Sequence, residues 1–371
     1  MYRSSFLFLV LAVSLNLNAQ NNPFEPSKIE DGWNIENLFL GNKVIQKMDS
    51  LIAAKEFKEI SSVVIAHNGK IVFENYYNKN TPDTKHNTRS CTKTIAGTLI
   101  GTLIQEGSLK SVHQNASKFS KVKNIQNPDN RKDKITIEDL MTMSSVLECN
   151  DWEEYSRGKE DRMYLIEDWV KFYWDLPIKG FPEWITTPKE SKYGRSFSYC
   201  TAGIVVLGDI INNISGSLEK YADKALFSKL GITEYHWQIT PTGIPMTGGG
   251  LGLKSRDLLK IGQLYLNNGK WNNEQIISAK FVKESTTPKA EVGMFDYEYG
   301  YLWWLSEFGK ESKEKAYFMS GTGGSKIVVM PKLDVVIVLT STYFNGGIES
   351  HNQTSELLNE YIVPEIKNIK K

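Results

Sequence analysis

Five segments of the chain have the spacing Ser-x-x-Lys, and only one of them opens directly into an apolar run with helical periodicity. The five serines are Ser90, Ser120, Ser156, Ser217 and Ser312. Residues three apart lie on the same face of a helix, so Ser90 and Lys93 can bring a hydroxyl and an amine together without help from the rest of the fold. The other four serines lie in charged, aperiodic surroundings, and most of them are expected to be surface residues.

The chemistry that this pair predicts is nucleophilic catalysis. A serine hydroxyl is a weak nucleophile until a neighbouring base takes its proton. The positive end of a helix lowers the pKa of a lysine toward the range in which it can act as that base. Ser90 is therefore the candidate nucleophile, and Lys93 is its candidate partner.

A tyrosine at a loop-to-helix junction is the next candidate. Tyr199 lies in Phe197-Ser198-Tyr199-Cys200-Thr201, directly before an apolar, helix-like run. Such junctions hold functional side chains rigidly. The alternative for any one of the 17 tyrosines is a half-buried aromatic ring whose hydroxyl group is hydrogen-bonded.

A glycine-rich segment near the C-terminal end could bind a ligand through its backbone. Residues 319–325 read Met-Ser-Gly-Thr-Gly-Gly-Ser and lead into a strand. Glycines let a backbone approach a ligand closely, and the N–H of an edge strand here could join that of Ser90 in an oxyanion hole. The alternative is an ordinary glycine-rich turn. A second run, Gly248-Gly249-Gly250, lacks a phosphate-binding spacing and is expected to be a loop beside the site.

Predicted hairpins stand at opposite ends of the chain. Asn68-Gly69 separates two β-rich runs, which is the strongest short-range hairpin signal. A second pair of β-rich runs lies at 326–330 and 335–340, and residues from about 111 to 289 favour helices and loops. We expect an α/β (α+β) fold with one antiparallel sheet built from both chain ends and an inserted, mainly helical region.

Composition argues for a globular enzyme with a small ligand. The 371 residues are 40% hydrophobic and 23% charged, with a net charge of +1. This balance disfavours a nucleic acid or an acidic membrane as partner. The five histidines and three cysteines show no metal-ligand spacing, so neither a metal nor an organic cofactor is expected. Gly-x-Ser-x-Gly is absent, which excludes the α/β-hydrolase nucleophile elbow.

The N-terminal residues have the composition of a secretory signal peptide. Arg3 precedes a short apolar run, and Asn18-Ala19 precedes a polar stretch. We therefore expect a signal peptide at 1–19, a lead segment at 20–57 and the catalytic domain at 58–371. The run is too short to span a bilayer, so a periplasmic or secreted protein without a membrane span is expected.

Three cysteines, Cys91, Cys149 and Cys200, are an odd number for an exported chain. At least one is expected to be free. Cys91 and Cys200 each follow a candidate catalytic residue, and Cys149 competes as a partner for either one. We expect at most one disulfide, and its pairing stays open.

The three candidate segments, in this order, resemble the serine β-lactamase and penicillin-binding protein superfamily, in particular its class C β-lactamase-like and esterase branch. Ser90-Cys91-Thr92-Lys93 is similar to the Ser-x-x-Lys helix start, and Tyr199-Cys200-Thr201 to the Tyr-x-Asn element. Gly321-Thr322-Gly323 is similar to the Lys-Thr-Gly or His-x-Gly strand. The stretches 135–145 and 249–258 fit as well, so the resemblance covers nearly the whole chain after residue 19.

The resemblance implies catalytic roles for three residues. Ser90 would attack a carbonyl carbon, and Lys93 and Tyr199 would share general-base and general-acid duty. Such a pair titrates as a unit, so which of the two holds the proton at rest stays open. The substrate-binding residues that the resemblance implies are Thr201, Gly321, Thr322, Gly323 and Gly324.

Two departures from the family pattern concern substrate recognition. Thr201 stands where β-lactamases carry an asparagine, and a hydroxyl offers fewer donors and acceptors than an amide. Gly321 stands where they carry a lysine or histidine, so no cation is expected at this position. Both changes weaken recognition of a β-lactam and leave the acyl-transfer residues intact.

The sequence therefore predicts an exported serine hydrolase that cleaves a small ester or amide through an acyl-serine. A true β-lactamase or D-alanyl-D-alanine carboxypeptidase is the nearest alternative. A ligand-binding relative without turnover is a further one, and the presence of Ser90, Lys93 and Tyr199 argues against it.

Overall fold

The hairpin predicted at Asn68-Gly69 forms the start of the main sheet. The computed structural model describes residues 22–293 and 296–369, so the expected signal peptide lies outside the described residues. Asn68 and Gly69 have φ values of 50° and 71°, which is the left-handed geometry of a tight hairpin turn. Within the described residues the strands are, in chain order, β1 (Asn34–Ile35), β2 (Ile60–His67), β3 (Lys70–Tyr76), β4 (His86–Asn87), β5 (His236–Trp237), β6 (Leu251–Leu253), β7 (Lys270–Trp271), β8 (Glu274–Gln275), β9 (Ala290–Glu291), β10 (Glu298–Tyr299), β11 (Trp304–Phe308), β12 (Glu314–Gly321), β13 (Ser325–Met330) and β14 (Val335–Ser341).

The helices carry the inserted region and close the chain. They are α1 (Lys43–Ala53), α2 (Cys91–Gln105), α3 (Ile137–Met141), α4 (Glu160–Met163), α5 (Trp169–Asp175), α6 (Thr201–Ser215), α7 (Leu218–Ala222), α8 (Ser255–Leu266), α9 (Ala279–Ser285), α10 (Gly347–Glu356) and α11 (Val363–Ile369). A wider π-helical turn, Leu357–Ile362, joins α10 to α11.

The two ends of the chain meet in the middle of the sheet, as predicted. Its order is β1-β3-β2-β14-β13-β12-β11-β10-β9, and β14 pairs antiparallel with β2. One pairing departs from the antiparallel expectation, because β1 runs parallel to β3. The fold is therefore mixed α/β, with its central strands contributed by both termini.

Helices cover both faces of this sheet. Side chains alternate along β2, so Val64 packs in the core with α2, α6 and α8, while Val63 packs in a second core with α1 and α11. Thirteen of the 15 residues of α2 are buried. A helix that is buried all round lies inside a domain, so α2 is the central helix of the larger core.

The helical insertion contains more strand than predicted. Strand β6 of the insertion pairs with β5 and with β4, which precedes the insertion, and β7 and β8 form a hairpin. Strands β9 to β12, which the sequence pattern did not indicate, precede the second predicted hairpin. Strand β11 reads Trp-Leu-Ser-Glu-Phe, whose mixed composition lacks the continuous β-branched run of β14. Its pairing comes from distant partners that local pattern does not reveal.

No single helix in 22–293 and 296–369 has the length and apolar composition to cross a bilayer. One pair of helical segments, α6 and Leu218–Leu230, reaches that length and composition together, but the pair is bent by 82°.

The cysteine pairing that the sequence left open is Cys149–Cys200. Their Cα atoms are 5.3 Å apart, within the range of a disulfide, and the bond joins segments 51 residues apart in the chain. Cys91 is free and buried. The bond therefore ties the segment around Cys149 to the loop that precedes α6, and both lie within the insertion.

Counting thiols checks this pairing. Protein prepared under oxidising conditions and denatured without reductant should show one free thiol per chain, and Cys91→Ser should reduce the count to zero. Reduction before denaturation should give three. Three thiols without reductant, or a labelled Cys149 or Cys200, would contradict the pairing.

Candidate active site

Ser90 and Lys93 lie within hydrogen-bonding distance at the start of α2. Ser90 occupies the N-cap position, but its side chain caps no backbone N–H. Instead, Lys93 Nζ donates to Ser90 Oγ at 3.0 Å and to the carbonyl oxygen of Gly248. Lys93 is buried with 1% of its surface exposed, whereas Ser90 is half-buried. Ser90 is therefore partly accessible to solvent, whereas Lys93 is not.

Tyr199 completes this group from the loop before α6. Its ring centroid is 5.2 Å from Lys93 Nζ, and the side chain is 8% exposed. Burial raises the pKa of Tyr199, while the charge of Lys93 and a hydrogen bond with Ser90 act in the opposite direction. The net direction is upward, because burial outweighs the two opposing effects.

The run Gly248–Gly250 is a loop beside the site, as predicted. A Cβ at Gly248 would lie 2.6 Å from Thr201 Cγ2, and one at Gly250 would lie 2.9 Å from Met246 Cβ. Glycine is therefore needed for the backbone to pass between these side chains. This passage brings the Gly248 carbonyl to Lys93.

The glycine-rich segment at 319–325 approaches Ser90 through Gly321. A Cβ on Gly321 would collide with the carbonyl oxygen of Thr88, two residues before Ser90. The expectation of an edge strand needs correction, since β12 lies between β11 and β13. However, β11 pairs with β12 only as far as Phe318, so no strand among the described residues pairs with 319–321 on that side. The end of β12 thus presents a free edge next to the candidate nucleophile.

The rest of this segment divides into two parts. Thr322 is exposed, and the backbone N–H groups of Ser90 and Thr322 donate to no protein acceptor within the described residues. Gly323 and Gly324, with φ values of 93° and 95°, form the turn into β13 and pack against Phe344 and Ser350. Gly323 and Gly324 thus shape the turn, and the two free N–H groups are available to an oxyanion.

Thr201 is built into the wall of the site. It is fully buried, its N–H donates to Asp151 Oδ2 at 2.8 Å, and its hydroxyl lies 3.4 Å from Glu160 Oε2. The protein therefore already uses both polar groups of Thr201. Neither carboxylate was singled out from the sequence, because no local spacing links Asp151 or Glu160 to Tyr199.

A cation that sequence reasoning missed lies beside Gly321. Arg89 immediately precedes Ser90, and a Cβ on Gly321 would lie 3.3 Å from Arg89 Cβ. Its guanidinium lies 4.3 Å from the ring centroid of Phe344, and its Nε is buried without an acceptor in the described part of the chain. Arg89 also has a φ of 48°, which is rare for a residue with a side chain and is typical of functional sites. The third motif itself carries no cation, and Arg89 Cβ lies next to it.

Aromatic rings form one side of the site. Trp152 stacks on Tyr199 with centroids 5.2 Å apart, and Trp304 stacks on the same ring at 5.7 Å. Trp152 remains 43% exposed, whereas Trp303 is a core residue. Trp303 therefore belongs to the core, and Trp304 belongs to the wall of the site.

Comparisons with known proteins show the family and the fold. The family model described as Beta-lactamase matches residues 53–358. The chain is similar to the 6-aminohexanoate-dimer hydrolase of Paenarthrobacter ureafaciens, with 24% identity over 298 residues that cover 74% of this chain and 71% of that protein.

Solved structures show the same fold at lower identity. A putative 6-aminohexanoate-dimer hydrolase from Bacillus anthracis has a TM-score of 0.69 and 21% identity, covering 94% of this chain and 90% of that one. A family VIII carboxylesterase gives a TM-score of 0.62 and 16% identity, covering 88% and 99%. A penicillin-binding protein from Bacillus halodurans gives 0.61 and 16%, covering 85% and 99%.

Substituting Gly321 tests the contact between β12 and the Ser90 turn. Gly321→Ala should push the strand away from Thr88, with a loss of about 1–3 kcal/mol in the free energy of unfolding, the usual cost of overpacking. Gly180→Ala is the matched control, because Gly180 has open space around its Cα. Urea unfolding of both variants measures the effect, and equal stability of the two would contradict the close approach.

Proposed function

Because this chain belongs to the β-lactamase family, within the superfamily of serine β-lactamases and penicillin-binding proteins, we propose that it is a serine hydrolase that cleaves a small ester or amide through an acyl-serine intermediate. The observation that carries this proposal is the buried Lys93 amine, 3.0 Å from Ser90 Oγ and next to Tyr199. This arrangement provides a nucleophile with a proton acceptor at hydrogen-bonding distance.

The proposed reaction has two half-reactions. Ser90 Oγ attacks the substrate carbonyl carbon while its proton passes to the Lys93–Tyr199 pair, and the N–H groups of Ser90 and Thr322 stabilise the oxyanion. The pair then returns the proton to the leaving alcohol or amine as the carbonyl–leaving group bond breaks. Water attacks the acyl-serine by the same proton route, which releases the acid and restores Ser90.

The substrate is proposed to be a small ester or amide with an apolar part. Trp152 and Trp304 provide an aromatic surface next to Tyr199, and Trp152 is open to solvent. The relatives point to the same bond types, since one is named for hydrolysis of a 6-aminohexanoate dimer and another is a carboxylesterase. Thr201 has no free polar group to replace the family asparagine, which favours substrates without an acylamino side chain.

A location outside the cytosol is part of the proposal. The sequence of residues 1–19 has the composition of a signal peptide. The Cys149–Cys200 disulfide supports the same location, because disulfides persist mainly in oxidising compartments.

A β-lactamase or carboxypeptidase activity is the second candidate. Arg89 favours it, because its Cβ lies next to Gly321 and its guanidinium, over the Phe344 ring, could pair with a substrate carboxylate. A relative without turnover is disfavoured by the assembled Ser90, Lys93 and Tyr199.

Covalent labelling tests the nucleophile. An activated phosphonate should modify Ser90, and Ser90→Ala should abolish both labelling and ester turnover. Ser312→Ala is the matched control, since Ser312 belongs to another Ser-x-x-Lys segment and is exposed. An adduct on a different serine, or full labelling of Ser90→Ala, would overturn the assignment.

Relative rates on two substrate classes test the specificity. The family asparagine and the family cation are replaced here by Thr201 and Gly321. If the substrate contacts of both are lost, kcat/KM for a short aryl ester should exceed that for a cephalosporin by about a hundredfold, at about 1.4 kcal/mol per contact. If Arg89 supplies the cation, the ratio should be about tenfold, and Arg89→Met should raise it. Efficient cephalosporin turnover with negligible esterase activity would favour the β-lactamase alternative.

A further inference from the structure

The loop that carries Tyr199 is tied to one short segment, residues 149–152, which we call the clamp segment. The Cys149–Cys200 disulfide joins the two covalently. Asp151 N–H donates to the Tyr199 carbonyl oxygen at 2.8 Å, and Ser198 Oγ donates to the Cys149 carbonyl oxygen at 2.5 Å. The backbone on both sides of Tyr199 is thus held by the clamp segment.

The clamp segment also holds the ring of Tyr199. Trp152 stacks on this ring with an interplanar angle of 4°, and Trp304 on β11 stacks on it at 27°. Trp152 and Trp304 contact each other as well, with centroids 6.2 Å apart. The three rings form one cluster, so a movement of the clamp segment would move the phenol relative to Lys93.

The carboxylate of Asp151 is the centre of the clamp segment. Oδ2 accepts from the first N–H of α6, on Thr201, at 2.8 Å, and Oδ1 accepts from Glu160 N–H, the first of α4, at 2.9 Å. A carboxylate at a helix start satisfies N–H groups that lack partners within the helix. Here a single side chain does this for two helices, and a neutral amide in its place could accept through one atom only.

We propose that Asp151 is a positioning residue for the reaction assigned above: its ionised carboxylate, together with the Cys149–Cys200 bond, fixes Tyr199 against Lys93 and Ser90. The inference rests on the proposed function and adds a residue to it. Asp151 itself need not touch the substrate, since it acts through the Tyr199 loop.

The charge state of Asp151 gives this role a pH dependence. Burial raises the pKa of Asp151 to about 6, while Lys93 and the Thr201 hydrogen bond lower it and Glu160 raises it. The groups that face Asp151 are Lys93 on α2, Glu160 on α4, Tyr164 and Tyr199. Above pH 6 the carboxylate accepts both N–H groups, and below pH 6 its proton removes one acceptor. The rate should therefore fall as the pH drops through about 6.

The first experiment compares Asp151 with Asp209. Asp151→Asn should lower kcat by about 10- to 100-fold, the usual cost of a misplaced catalytic group, with KM within about twofold of the original value. It should also lose the acidic limb of the kcat profile. Asp209→Asn is the matched control, because burial raises the pKa of Asp209 to about 6 as well. Asp209 lies on α6, eight residues after Thr201. The control should keep both kcat and the acidic limb.

The second experiment needs no aspartate variant. Reducing the disulfide of the folded enzyme with a dithiol should lower kcat by a similar factor, and reoxidation should restore it, with circular dichroism confirming that the fold persists. The Cys149→Ser and Cys200→Ser double variant should show the same low kcat and no response to the dithiol.

The possible outcomes distinguish failure of the proposed function from failure of the inference about Asp151. An original enzyme without turnover on esters and amides would overturn the proposed function and this inference with it. Turnover that requires Ser90 but survives both Asp151→Asn and reduction unchanged would overturn this inference alone. A fall in kcat equal to that of Asp209→Asn would show a general stability effect and would also overturn it.

Discussion

The buried amine of Lys93 is the constraint on which the site depends. A primary amine taken out of water must find hydrogen-bond partners inside the protein. Lys93 finds two, the hydroxyl of Ser90 and the carbonyl of Gly248, and neither lies on a strand of the main sheet. The need to supply these partners explains why a glycine loop 155 residues away must pass so close to α2.

The other segments of the site also depend on close contacts between backbone segments. Gly321 lets β12 reach the turn before Ser90, and the clamp segment holds the loop of Tyr199. The sheet provides the rigid support, because β12 to β14 and β2 are central strands whose side chains are buried on both faces. Each catalytic candidate thus lies at or near the start of a helix, Ser90 and Lys93 at α2 and Tyr199 just before α6.

Local pattern in the sequence was sufficient for part of this. The Ser90–Lys93 pair, the Asn68-Gly69 hairpin and the second hairpin follow from spacing within ten residues, and the structure contains all of them. Asp151 and Arg89 could not be identified in this way. Their importance comes from neighbours 50 or more residues away, Thr201 and Gly321, and no periodicity encodes such contacts. The choice of Cys149 for the disulfide has the same origin.

The pairing of β2 with β14 has a consequence for how the chain reaches its final form. Strand β2 ends at His67, and its partner Val335 comes almost 270 residues later. Sheets with such distant pairings form slowly, because the long loop must be closed before its contacts contribute. During synthesis one apolar edge of the N-terminal hairpin therefore stays unpaired until the last strands have been made. An exposed edge of this kind can pair with another chain. Every catalytic candidate has been translated by then, and none can work until the end of the chain arrives.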